Sequence, residues 1–128
     1  MLDHIGIQVS DLKRSIAFYK AALAPLGIDV MMELTADMSG GYEGVGLGSE
    51  GKPYFWISKG KPGNSHSHVA FAAKDRATVH AFYEAGIKAG GKDNGLPGLR
   101  PHYHENYFGA FVLDPDGHNV EAVCHRPA

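Results

Sequence analysis

The sequence predicts an α+β protein built from two tandem βαβββ modules, and three observations carry that prediction. The chain of 128 residues repeats itself internally. Each copy opens with a stretch of period-two alternation that runs into an amphipathic helix. Short β-rich stretches separated by glycine turns then follow in both halves.

The repeat appears when residues 4–27, HIGIQVSDLKRSIAFYKAALAPLG, are placed over residues 68–91, HVAFAAKDRATVHAFYEAGIKAGG. Seven of the 24 positions are identical: the leading histidines His4 and His68, Asp11 with Asp75, the Ala-Phe-Tyr triplets at 17–19 and 81–83, Ala21 with Ala85, and Gly27 with Gly91. His4 to Val9 and His68 to Ala73 alternate as half-buried strands do. Ser10 or Asp11 caps the first helix and Asp75 the second. Leu12, Ile16, Tyr19 and Leu23 form one apolar stripe, and Val79, Phe82, Tyr83 and Ile87 the other. Gly27 and Gly90-Gly91 end the helices. Strands are expected near 28–34, 42–48 and 53–58, with turns at Gly40-Gly41 and Gly48 to Gly51. Residues 59–65 read as a linker, which divides a single domain, 1–128, into module one over 1–60 and module two over 65–125. The second half continues with a short strand near 92–95, an irregular loop over 96–106 and a strand from Tyr107 to Leu113. A type I turn at Asp114-Pro115-Asp116-Gly117 leads to a last strand from His118 to Cys124.

Composition narrows the function. With 44% hydrophobic and 20% charged residues and a net charge of −2, the chain is an ordinary globular domain. Lys and Arg are scattered singly, which offers neither a basic stripe for nucleic acid nor a polybasic run for a membrane surface. The opening MLDHIGIQVSDLKR carries an early charge, and no apolar run reaches about 18 residues, so neither a signal peptide nor a transmembrane span is expected. The lone cysteine, Cys124, excludes an intrachain disulfide and points to a reducing, cytoplasmic compartment.

Strand parity then groups the polar residues. His4 shares a face with Gly6 and Gln8, and His68 with Ala70 and Ala72. The opposite faces carry Ile5, Ile7, Val9, Val69 and Phe71, which pack the helices. The histidine side is lined by small residues and leaves room for a ligand. In the last strand Glu121 shares a face with Asn119 and Val123; a carboxylate within NVEAV needs a partner. Two imidazoles and a carboxylate on stiff strands make a three-ligand metal site with open positions for water or substrate. Trp56 and Tyr54 share a strand face and can wall a pocket. Tyr107 and Phe111 share another. Arg100, His102 and His104 fall in a loop able to fold over the mouth, where Arg100 suits an anionic group. Cys124 reads as packed, and His66, His80 and His125 as surface residues.

HIGIQVSDLKRSIAFY, SHVAFA and AFVLDPDGHNVEAV, set in a βαβββ repeat, resemble the vicinal oxygen chelate superfamily. That superfamily holds glyoxalase I, extradiol dioxygenases, fosfomycin-resistance thiol transferases and bleomycin-binding proteins. The resemblance implies curved mixed sheets around a metal or ligand cavity. It implies metal ligation by the first-strand and fifth-strand histidines and the eighth-strand glutamate, which map onto His4, His68 and Glu121. It also implies a homodimer.

Departures from the pattern limit the choice of member. Glyoxalase I carries a further glutamate on its fourth strand, as ligand and base; here the stretch holds Phe55, Trp56 and Ile57, with no carboxylate. Extradiol dioxygenases and the fosfomycin enzymes have a tyrosine ten residues before the last ligand, where this chain has Phe111. The fosfomycin enzymes also carry a threonine two residues after the first histidine, here Gly6. His118 faces away from Glu121 by parity. The expected activity is that of a metal-dependent enzyme, of lyase, isomerase, thiol transferase or dioxygenase type, acting on a small oxygen-bearing metabolite or electrophile. One divalent ion is expected, with Fe, Mn, Ni, Co and Zn all compatible. The substrate-contacting residues are expected among Gln8, Tyr54, Trp56, Arg100, His104, Tyr107 and Phe111, with Tyr107 and His104 the candidate bases. The alternative is a protein of the bleomycin-resistance type that sequesters a small molecule without turnover.

Overall fold

The computed structural model describes residues 1–61 and 66–128. Most of the linker expected over 59–65 therefore lies outside the described residues. Module one contains β1 (Ile5–Val9), α1 (Leu12–Leu23), a 3₁₀ turn over Ala24–Leu26, β2 (Asp29–Leu34), a short α2 (Ala36–Ser39), β3 (Gly44–Ser49) and β4 (Lys52–Lys59). Module two contains β5 (His68–Ala72), α3 (Arg76–Lys88), β6 (Lys92–Leu99), β7 (Phe108–Leu113) and β8 (Asn119–Cys124). Each module is one four-stranded sheet, ordered β1-β4-β3-β2 in the first and β5-β8-β7-β6 in the second. The β1–β4 and β5–β8 pairings are parallel and the other two pairings in each sheet are antiparallel. The two tandem βαβββ modules of an α+β fold are thus present, as two open mixed sheets. No described helix is long and apolar enough to cross a membrane.

Asp11, rather than Ser10, caps α1: its carboxylate accepts from the Arg14 amide at 3.1 Å. Asp75 caps α3 and accepts from both the amide and the hydroxyl of Thr78. The helix after Thr35 was not expected from the sequence; its four residues end on Gly40 in the left-handed region, φ 75°. The strand expected over 92–95 continues to Leu99, through what reads as loop. Register shifts between Asp93 and Gly95, and again between Gly95 and Gly98, absorb the glycines. Because β6 is an edge strand paired only to β7, Pro97 forfeits no ladder bond that a central strand would need.

One core joins the modules. Ile7, Val9, Phe55 and Ile57 from the first sheet meet Phe71, Val112, Val120 and Ala122 from the second, with both helices between them. Phe55 and Phe71 touch edge to face at 5.3 Å. The helices approach where Gly86 faces Ala22; a Cβ on Gly86 would sit 3.7 Å from that of Ala22 and 3.3 Å from Val112. This crossing buries Gly86 and leaves Ile87, expected in the stripe, 37% exposed. Ile5, expected in the packed face, is 38% exposed at the start of β1.

A polar clasp closes the module junction. The buried Tyr19 hydroxyl donates to Asp114 Oδ2 at 2.6 Å. Burial and the Asp114 charge push the phenol well above its usual range. Asp114 Oδ1 accepts from the amides of Asp116 and His118. Asp116 in turn accepts from the amide and hydroxyl of Ser10. His118, buried, bonds the Gln8 carbonyl through Nε2 at 2.8 Å and accepts from the Ser67 amide at Nδ1.

Candidate functional site

Pairing across the sheets places the polar residues on two open faces. In module two the register sets Ala70 beside Glu121 and Phe111 beside Glu121, so one carboxylate lies at the centre of the face opposite the helices. Glu121 is only 1% exposed. Its Oε1 lies 2.8 Å from Nε2 of His68, and its Oε2 accepts a short bond from the Tyr107 hydroxyl. Burial first, and then the bond to Glu121, push the Tyr107 phenol up to about 12. Tyr107 therefore keeps its proton at neutral pH and acts here as a donor. Phe111 lies beneath Arg100, whose guanidinium sits 5.4 Å from the ring centroid and donates to the carbonyls of Gly98 and Leu96. Gly109 leaves the space for Tyr107 and Glu121: a Cβ there would lie 3.1 Å from Tyr107 Cε1 and 3.4 Å from Glu121 Oε2.

In module one His4 is exposed. Its Nδ1 lies 2.8 Å from Asp3 Oδ1, and Lys52 Nζ meets the other oxygen of Asp3 at 2.6 Å. Lys52 first, then His4, hold the Asp3 carboxyl below its usual range. With Nδ1 turned to Asp3, Nε2 is the ring nitrogen of His4 left for a metal. A cavity of about 580 Å³ at the module junction is lined by both histidines, together with Asp3, Ser49, Tyr54 and Ala70.

The remaining candidates are distributed as follows. Tyr54 and Trp56 do not share a face. The register between β3 and β4 steps from Gly48–Pro53 to Leu47–Phe55, so Tyr54 is the extra residue of a β-bulge. Its hydroxyl meets Ser49 Oγ at 3.0 Å beside the junction cavity. Trp56 lies on the open face of the first sheet with His4, Gly6, Leu34 and Tyr42, around a second cavity of about 470 Å³. Gln8 follows on that same strand face, and its side chain rests against Gly60. His104 accepts from the Asn106 amide and packs against His125, beyond the end of β8. Tyr42 went unnoticed in the sequence; the signal was the alternating glycines of GVGLG, which leave room for rings from neighbouring positions.

Imidazole and carboxylate donors suit a borderline divalent ion, and His4, His68 and Glu121 supply that chemistry. Among the described residues the buried Glu121 carboxyl meets the Tyr107 hydroxyl and the His68 imidazole, and a carboxylate there would be well placed to take a cation. His68 and Glu121 converge, whereas His4 stands apart from them. Among the described residues no group of three His, Cys, Asp or Glu side chains is assembled to hold a metal.

A family model described as Glyoxalase/Bleomycin resistance protein/Dioxygenase superfamily matches residues 1–122. A glyoxalase/bleomycin resistance protein from Albidiferax ferrireducens T118 is 30% identical, with 99% of each chain covered and a TM-score of 0.79. A glyoxalase I mutant from Zea mays is 28% identical with a TM-score of 0.70; 95% of this chain aligns with 46% of the maize chain. The fosfomycin resistance protein FosX from Listeria monocytogenes shares the fold at 17% identity, TM-score 0.70, over 98% of this chain and 92% of that one. No curated protein matches.

Proposed function

Because this chain belongs to the glyoxalase, bleomycin resistance protein and dioxygenase superfamily, we propose that it is a metal-dependent enzyme acting on a small oxygen-bearing metabolite or electrophile, with His4, His68 and Glu121 as metal ligands. The observation that carries the reading is the buried Glu121 carboxylate, 2.8 Å from the His68 imidazole on the open face of its sheet. One divalent ion, drawn from Fe, Mn, Ni, Co and Zn, would supply Lewis-acid polarisation of a substrate oxygen. The chain's own residues do the rest. Asp3 fixes the His4 tautomer. Tyr107 holds Glu121 in one rotamer and keeps its own proton. Arg100, at the rim over Phe111, offers a cation to an anionic substrate group.

A homodimer forms part of the proposal. The edge strands β2 and β6 expose Met31, Met32, Leu96 and Leu99, and apolar edges of this kind are ordinarily covered. Light scattering should give about twice 13.7 kDa at micromolar concentration, and a mass near 13.7 kDa contradicts the dimer.

The metal itself is tested by elemental analysis of protein purified without added metal and then reconstituted. Wild type should hold one ion per chain. His68→Ala should reduce this to background while its circular dichroism stays native. Equal metal in the two proteins sinks the proposal. A protein that sequesters its ligand without turnover is the competing reading, and a metal-free wild type would favour it.

A further inference from the structure

The open face of module one carries a feature that metal ligation does not use. Across the sheet, one row runs Gly6, Trp56, Gly46, Met32 and the next includes Ser58, Gly44 and Leu34. The two β3 glycines in these rows are covered by aromatic rings. A Cβ on Gly46 would lie 2.8 Å from Trp56 Cζ2 and 2.9 Å from Cε2, and a Cβ on Gly44 would lie 2.9 Å from Tyr42 Cε1. Both rings therefore lie over bare backbone at successive positions of one strand face, where a side chain would press on them and also on the Ile57 carbonyl, 2.6 Å from a Cβ at Gly44, and on Pro53 Cβ, 2.8 Å from one at Gly46. Trp56 stays half-buried and Tyr42 is 39% exposed, with the cavity of about 470 Å³ above them. Its volume falls within the range of small-molecule pockets, roughly 300–1,000 Å³.

We propose that Trp56 and Tyr42, laid over Gly46 and Gly44, form a stacking platform that binds a planar aromatic or conjugated ligand beside His4. The chemistry is that of ring faces: a flat π-system meets offset rings over its whole area, whereas a puckered ring of equal size touches them at a few atoms. Among the described residues the cavity is lined by Gly6, Leu34, Tyr42 and Trp56 with His4 at its margin, so recognition rests on shape and stacking. His4 at the margin connects the platform to the metal ligands, and in that respect the proposal deepens the function proposed above. The stacking itself needs no metal.

The test uses full-length, metal-stripped protein, so its outcome is separate from that of the metal analysis. The probes are 2-naphthol and decahydro-2-naphthol, neutral compounds of one skeleton that differ in flatness. Trp56 is the only tryptophan, so the emission of the free protein reports this site alone. Naphthol should bind once per chain by calorimetry, with the saturated analogue at least about fivefold weaker. Tyr42→Leu should weaken naphthol by about 2- to 12-fold, the range for one aromatic contact, and leave the analogue nearly unchanged. Gly46→Ala, which displaces the indole without removing it, should weaken naphthol similarly; native circular dichroism and a cooperative melt verify both folds. Equal affinity for the two probes, or naphthol binding that both variants leave intact, overturns the proposal. So does Trp56 emission that is blue-shifted and shielded from acrylamide in the free dimer, since the platform would then be a subunit contact.

Discussion

The two modules share a repeat but use its open face in opposite ways. Gly6 pairs with Trp56 on β4, and Ala70, its counterpart in the repeat, pairs with Glu121 on β8. One ladder position therefore holds an indole lying over glycine in module one and a buried carboxylate in module two. Module two has spent its face on a polar constellation of Glu121, His68 and Tyr107, whereas module one has kept its face open and aromatic. Duplicated backbones thus separate the task of holding charge from the task of giving space.

The largest test of this contrast is catalytic. Isomerising the hemithioacetal of methylglyoxal and glutathione requires a base within reach of a substrate carbon, and loss of a positioned base costs about 10² to 10⁴ in rate. The β4 position that would carry it holds Trp56, while Phe55 and Ile57 are buried in the core. In an assay across Ni, Co, Mn, Zn and Fe(II), kcat/KM should fall well below about 10⁶ M⁻¹s⁻¹, and Trp56→Glu should raise it. A wild type that reaches that value would show that the difference between the two ladder positions does not limit the chemistry.

Stability should divide the modules more modestly. Tyr19 and Tyr83 occupy matching positions, but only Tyr19 is fully buried with its hydroxyl on a buried carboxylate. Tyr19→Phe strips Asp114 Oδ2 of that donor and should cost about 1–3 kcal/mol in urea denaturation. Tyr83→Phe should cost less, because water replaces the bond to Asp93 at a half-exposed site. If the two variants prove equally stable, the Tyr19 clasp carries no special weight.

The smallest expected difference lies at the helix caps. Asp11→Ala should remove about 1 kcal/mol. Asp75→Ala should remove more, since Asp75 accepts two bonds from Thr78. Those bonds hold the Asp75 carboxyl below its ordinary 3.8. Its contribution is therefore complete above that value and fades as the pH falls through the lowered folded value. Thermal melts at pH 7 and pH 3 should show the gap between the two variants narrowing in acid.

Much of this was legible in the chain. The repeated His-strand-helix segment yields both modules, and parity alone puts His4, His68 and Glu121 on the faces turned from the helices. What parity misses is the bulge at Tyr54, because one extra residue reverses a strand's facing without changing its composition. Pattern likewise ends β6 early, since glycine and proline read as loop unless the strand is known to lie at an edge. Local pattern could not pair His118 with the Gln8 carbonyl, or Asp114 with Tyr19, because those partners meet only after the modules dock. For the same reason the sequence groups three candidate ligands into one set, while the folded chain brings His68 and Glu121 together and leaves His4 beside Asp3.

The clasp between Asp114–His118 and module one also bears on how the chain is made. Residues 114–118 leave the ribosome about a hundred residues after Ser10 and Tyr19. Until they emerge, the Tyr19 hydroxyl and the Gln8 carbonyl of the nascent half lack the acceptor and donor that they hold in the finished fold. The first half can form its strands and helix by local pairing, but the hydrogen bonds at its junction surface are completed only when the last turn of the second half docks. Although the duplication reads as two equal units, its halves mature as one.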